Sequence, residues 1–135
     1  MDKKGFTMIE LLIATTVMVT ILLAVVYSLM QAQEVTSIAN NQDIALSAIQ
    51  DKLEEIANDL GNIMNYDQQT FAVEADQGGG VMTPLLNTPP GLANPGQVTV
   101  NQIAGTNLFD VTVTVSWEQK PGRIVSRDLS TTFIQ

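Results

Sequence analysis

Hydrophobicity runs along this chain in three blocks. The first is continuous: residues 11–30 carry no charge, and about 20 apolar residues suffice for a helix to cross the hydrocarbon core of a bilayer. The second is periodic. Val35, Ile38, Leu46, Ile49, Leu53, Ile56, Leu60 and Ile63 recur at spacings of three and four, bridged once at Gln42, while Asp43, Asp51, Glu54, Glu55 and Asp59 fall on other faces. The third alternates strictly, in Phe109-Asp110-Val111-Thr112-Val113-Thr114-Val115-Ser116-Trp117, the signature of a strand with one face in a core.

The first two blocks predict one helix. No proline precedes Pro84 and no glycine lies between Phe6 and Leu60, so about 55 residues, roughly 80 Å at 1.5 Å per residue, can be helical without a break. Gly61 suits its end. The stripe over residues 49–60 is expected to pack on the head, and the acidic face to be solvated. Residues 6–30 contain no proline to remove a helix donor. Thr15, Thr16 and Thr20 can bond back to preceding carbonyls and bend the helix only slightly, so a straight helix is expected.

The remainder reads as β. Residues 70–74 and 98–103 are short candidate strands. Residues 109–117 and 124–134 form an antiparallel hairpin about a turn containing Pro121-Gly122, with Val125, Leu129 and Phe133 on the inner face. Trp117, the single tryptophan, is expected in the core or at the sheet edge. Residues 77–97, with Gly78-Gly79-Gly80, Pro84, Pro89-Pro90-Gly91 and Pro95-Gly96, are expected to be loop without regular structure. The triple glycine is followed by no Gly-Lys-Ser or Gly-Lys-Thr and so is no phosphate cradle. The fold class is α+β, a long helix on a small antiparallel sheet of three or four strands. The expected plan is a leader at 1–5, a membrane helix at 6–30, its amphipathic extension at 31–61 and a head at 62–135.

Composition narrows the function. The 135 residues carry a net charge of −8, which argues against nucleic acid as a partner. With no histidine and no cysteine, Ser-His-Asp and Cys-His catalysis and imidazole or thiolate metal sites are excluded. Asp76, Asn87 and Asn94 are too scattered for a calcium loop. No enzyme, cofactor or metal is expected. Lys3 and Lys4 precede the apolar run, whereas Glu34, Asp43 and Asp51 are the only charges between it and Lys52, which places the amino terminus in the cytoplasm and the head outside.

Glu10 is the anomaly. A carboxylate left in hydrocarbon costs at least about 2.5–3.5 kcal/mol, and the helix macrodipole returns only about 0.3–1 kcal/mol, so Glu10 requires a partner. Cutting after Gly5 would make Phe6 a cationic amino terminus four residues before it. The stretch Lys3-Lys4-Gly5-Phe6-Thr7-Met8-Ile9-Glu10-Leu11-Leu12-Ile13 resembles the class III signal of type IV pilins and of the pseudopilins of type II secretion. The resemblance implies that a prepilin peptidase cuts between Gly5 and Phe6, that Phe6 is N-methylated, that Lys3 and Lys4 are the basic leader, and that Glu10 sets assembly and register. A Sec signal peptide has a shorter apolar region and an Ala-x-Ala-like cut site, and an uncleaved anchor helix leaves Glu10 unexplained.

Asp51-Lys52-Leu53-Glu54-Glu55-Ile56, Asn65-Tyr66-Asp67 and the strands from Val111 to Ile134 look, more loosely, like V-type minor pilins and I-type minor pseudopilins. Many major pilins have a helix-bending proline and a carboxy-terminal disulfide, and this chain has neither. The resemblance therefore implies a minor structural subunit of a type IV pilus or related filament, with a minor type II secretion pseudopilin and an uncleaved, membrane-anchored periplasmic binding module as alternatives. The partners implied are the prepilin peptidase, other pilin or pseudopilin subunits, an inner-membrane assembly platform and lipid. The chain would first sit single-pass in the inner membrane and then in a filament at the cell surface or in the periplasm.

Overall fold

The computed structural model describes residues 7–76 and 81–135. One long helix, α1 (Met8–Asn58), is followed by a short 3-10 segment (Leu60–Tyr66) and by strands β1 (Thr70–Phe71), β2 (Glu74–Asp76), β3 (Met82–Pro84), β4 (Gly96–Gln102), β5 (Leu108–Lys120) and β6 (Arg123–Ile134). The chain divides into two bodies, Met1–Ser37 and Ile38–Gln135, with the boundary inside α1.

In the second body the architecture is α+β, as the hydrophobic pattern predicts. Strands β1-β4-β5-β6 form one antiparallel sheet in that order, and β2 pairs with β3 in a separate two-stranded sheet. Register follows from the alternation. Val98 faces Val113, Val100 faces Val111 and Trp117 faces Val125, so the large side chains of adjacent strands share the inner face, where β5 buries Phe109, Val111, Val113, Val115 and Trp117. The outer face is polar and cross-linked: the Thr112 and Ser130 hydroxyls lie 2.8 Å apart, and Thr132 Oγ1 donates to Asp110 Oδ1 at 2.6 Å.

Against this sheet α1 sets Ala45, Ile49, Leu53 and Ile56. The stripe expected over residues 49–60 packs on the sheet: Ile49, Leu53, Ile56 and, beyond the helix, Ile63 are buried and Leu60 packs against them, whereas Leu46 is 45% exposed and Val35 66%. Counting back one turn from Ile49 reaches Ala45, a small residue that extends the buried face beyond that stripe.

The helix also stops before Gly61. It ends at Asn58, and Asp59 (φ −128°, ψ 46°) breaks it. The Asp59 carboxylate accepts from Asn62 Nδ2 at 2.9 Å and from the Tyr66 hydroxyl at 3.3 Å, side-chain bonds that compete with helix continuation and stabilise the tighter turn. Burial first, then the charges of Asp59 and Glu55 and the Asp59 hydrogen bond, push the Tyr66 phenol above its usual range.

Three strand expectations change too. Residues 70–74 split between β1 and β2, which belong to different sheets. The loop predicted over 77–97 holds β3 at Met82–Pro84 and the first two residues of β4, Gly96 and Gln97; the triple glycine itself lies outside the described residues. Pro84 fits a strand because it closes the β2–β3 pair at Glu74, an end position where a missing donor costs little. Gly96 is required by β1: a Cβ there would run into the Phe71 ring. Finally, Val125, Leu129 and Phe133 do share the inner face of β6 but none is fully buried. β6 is the sheet's outer strand, and Arg127 and Thr131 are interspersed with them on that face. The hairpin turn matches its expectation, with Gly122 at φ 79° and its N–H bound to Glu118 Oε1 at 2.7 Å.

Candidate assembly site at the amino-terminal helix

The sequence concentrates its unusual chemistry at the start of α1. Gly5 and Phe6, the predicted cleavage pair, and the basic residues Lys3 and Lys4 lie outside the described residues. Glu10 is described, in the first turn of α1, and its carboxylate has a partner within the chain. Thr7 N–H and Thr7 Oγ1 both donate to Glu10 Oε2 at 3.0 Å, and Glu10 N–H donates back to Thr7 Oγ1 at 3.3 Å. With Leu11 N–H bonded to Thr7 O at 3.2 Å as the first helical bond, Thr7 is the N-cap and Glu10 the third helical residue. This is a capping box.

Sequence reasoning missed it, although the signal was present: Thr-x-x-Glu before an apolar run is the spacing that satisfies two orphan helix donors reciprocally. Within the described residues Thr7 holds the Glu10 carboxylate, while Phe6, whose amine is the expected countercharge, lies outside them. The geometry adds a direction, because the carboxylate folds back onto Thr7 N, the atom joined to Phe6 by a peptide bond.

Between the cap and Met30, α1 has no sidedness. Its most apolar 18-residue window has a mean hydropathy of 2.5, with none of it buried inside the protein, and Ile9, Leu12, Val17, Leu22 and Leu29 on all sides of the helix are more than half exposed. A helix apolar all round is covered by lipid or by other helices. Its backbone leaves few polar atoms to offend either environment. Thr15 and Thr16 both donate to Leu12 O, at 3.0 and 2.8 Å, and Thr20 donates to Thr16 O at 2.8 Å, so all three hydroxyls are satisfied within the helix, as their positions suggested. Tyr27 OH accepts from Gln31 Nε2 at 2.9 Å where the apolar run ends.

Elsewhere the chemistry is sparse. Among the described residues no group of three or more His, Cys, Asp or Glu is placed to hold a metal ion. An ion pair on α1, Lys52 with Glu55 at 2.8 Å, also sets the Lys52 ammonium 5.2 Å from the Tyr66 ring centroid and 5.7 Å from that of Phe71, fastening α1 to the segment after it and to β1. Trp117 is wholly buried, its indole N–H donating to Gln119 Oε1 at 2.9 Å, which makes it a core residue.

Residues 1–26 match the family described as the prokaryotic N-terminal methylation motif. The match spans leader, cap and most of the apolar run, and it supports membership of the chain among pilins and pseudopilins; the head lies outside it. No curated protein matches significantly, and neither does any solved structure.

Proposed function

We propose that the chain is a structural subunit, minor rather than major, of a type IV pilus or related filament, processed by a prepilin peptidase and assembled through its amino-terminal helix. The observation that carries this reading is the methylation motif over residues 1–26, lying on a helix whose apolar residues find no cover within the chain. The precursor sits in the inner membrane with its head outside. Cleavage between Gly5 and Phe6 frees a cationic amine three bonds from Thr7 N, the atom onto which Glu10 already folds. Phe6 is then N-methylated.

In the filament the apolar helices bundle and supply affinity, while Glu10 meets the Phe6 amine of an adjacent subunit and sets the axial register. The capping box changes the energetics of that step. Before docking, the Glu10 carboxylate accepts hydrogen bonds from Thr7 rather than standing alone, so the charge pair has to compete with a cap worth about 1 kcal/mol. Charged hydrogen bonds are worth about 1.5–3 kcal/mol, and the cap can keep its Thr7-to-Glu10 half while one carboxylate oxygen turns to the amine.

The test is Glu10→Ala in the native host. Membrane insertion and cleavage after Gly5 are expected to persist, read by intact mass, while incorporation into filaments is lost; normal incorporation overturns the pairing mechanism. An uncut wild-type protein retaining residues 1–5 overturns the filament reading in favour of a membrane-anchored binding module. Loss of surface fibres or of protein export on deletion separates a pilus role from a secretion pseudopilus.

A further inference from the structure

We propose that the heads of adjacent copies dock edge to edge, the β6 strand of one seating Arg123 and Arg127 against the acidic groove beside β1 of the next. This rests on the filament-subunit reading. A subunit present in few copies per filament can still be placed as a run of neighbouring copies, so it does not require a major role.

Charge segregation supports it. Of the six Lys and Arg residues, Lys3 and Lys4 leave with the leader and Lys52 is tied to Glu55. Of the others, Lys120 ends β5, and Arg123 and Arg127 lie on β6 of the same hairpin. Trimming residues 1–5 removes Asp2, Lys3 and Lys4, taking the net charge from −8 to −9. Copies that acidic repel one another unless their few cations face carboxylates, and the hairpin is where those cations are. Arg123 and Arg127 are exposed, and neither forms an ion pair among the described residues. Arg127 shares a small pocket with Asp43 and Asp128 without pairing to either. Exposed Ile124 and Leu129 add apolar area beside them.

The complementary surface lies on the opposite side of the same sheet. An open groove of about 390 Å³ is bordered by Asp51, Glu74 and the paired Lys52 and Glu55, a net charge that stays negative, with Phe71 and Leu85 as apolar lining. Asp51 and Glu74 are exposed, and neither is paired to a cation among the described residues. Register puts the two surfaces at one level: Phe71 pairs with Gly96, Gly96 with Val115 and Val115 with Arg127, so the groove's Phe71 and Arg127 stand at the two ends of one row across the sheet. Two different faces at one level make a heterologous contact, which generates rings or open helical assemblies rather than closed two-fold dimers. A two-fold pairing of β6 with itself centred on Arg127 or on Asp128 is disfavoured, since it opposes like charges.

The absence of cysteine gives a clean background for the test. Full-length protein in detergent, which screens the apolar helix, carries reporters Ile124→Cys and Ala72→Cys, both at exposed positions, and is treated with a short thiol-to-thiol crosslinker. A ladder of dimers, trimers and longer species is expected, with neither single variant crosslinking, because its thiol then faces a residue that has none. R123E/R127E is expected to cut the ladder about tenfold, and adding D51K/E74K to restore it. The unreversed reporter is expected to lose its ladder as salt rises from about 50 to 500 mM, where screening shortens to a few Å, a measurement independent of whether the reversed variants fold. No ladder, or one indifferent to both charge reversal and salt, overturns the contact. If that happens while Glu10→Ala still blocks incorporation, the head contact fails and the filament reading stands.

Discussion

Glu10 does two jobs that a single substitution to alanine removes together: it completes the capping box with Thr7 and it carries the charge. Glu10→Gln separates them, since glutamine at the third helical position can still reach back to the N-cap N–H but offers no anion. If the charge sets register, Glu10→Gln is expected to keep helix content and membrane insertion at wild-type levels, by circular dichroism and fractionation, yet to be absent from filaments. Incorporation of Glu10→Gln at wild-type levels would reduce Glu10 to a cap. Thr7→Ser supplies the matching control, because the hydroxyl at Thr7 both donates to Glu10 and accepts from it. It should assemble normally, whereas Thr7→Ala forfeits about 0.5–2 kcal/mol of cap stability.

At the scale of elements, the head's helix–sheet contact depends on which turn of α1 reaches the sheet. Ile49 is wholly buried while Leu46 is 45% exposed. Ile49→Ala should cost about 2–5 kcal/mol, as for other buried large-to-small changes. Leu46→Ala should cost well under that, within about 0.5 kcal/mol of wild type as at a surface site. Thermal melts of the two full-length variants in detergent distinguish the observed stripe from one that includes Leu46; equal losses would contradict it. The pair also marks what the sequence could disclose. Period-two alternation in β5 and its register with β6 were legible, because every large side chain there points to one face. The burial of Ala45 was not, because a side chain that small gives little hydrophobic signal and only its packing against the sheet reveals it. The same holds for β1 and β3, strands of two and three residues that exist through pairing and carry no periodicity of their own. At the candidate site the carboxylate and its leader were legible from their charges in an apolar setting. The capping box was not read from those charges, because its partners are a hydroxyl and two backbone donors that carry none.

The molecule as a whole has to be threaded one way through a bilayer, and its charges leave little to decide the direction. The flank before α1's apolar run holds Lys3 and Lys4; after it the next basic residue is Lys52, twenty-two positions beyond Met30. Basic residues orient a span chiefly within about 15–20 residues of its ends, and acidic ones contribute little. In the proposed topology two lysines carry the whole orientation signal, and the proposed cleavage discards the leader that holds them. An impermeant maleimide added to spheroplasts should label Ser126→Cys, an exposed position on β6, without lysis. In Lys3→Glu/Lys4→Glu the bias disappears, and the labelled fraction should fall as molecules insert in both orientations. Protection of Ser126→Cys in the otherwise wild-type chain until the membrane is broken would put the head in the cytoplasm. That outcome would leave the Gly5–Phe6 bond and Glu10 on the wrong side for the assembly route proposed.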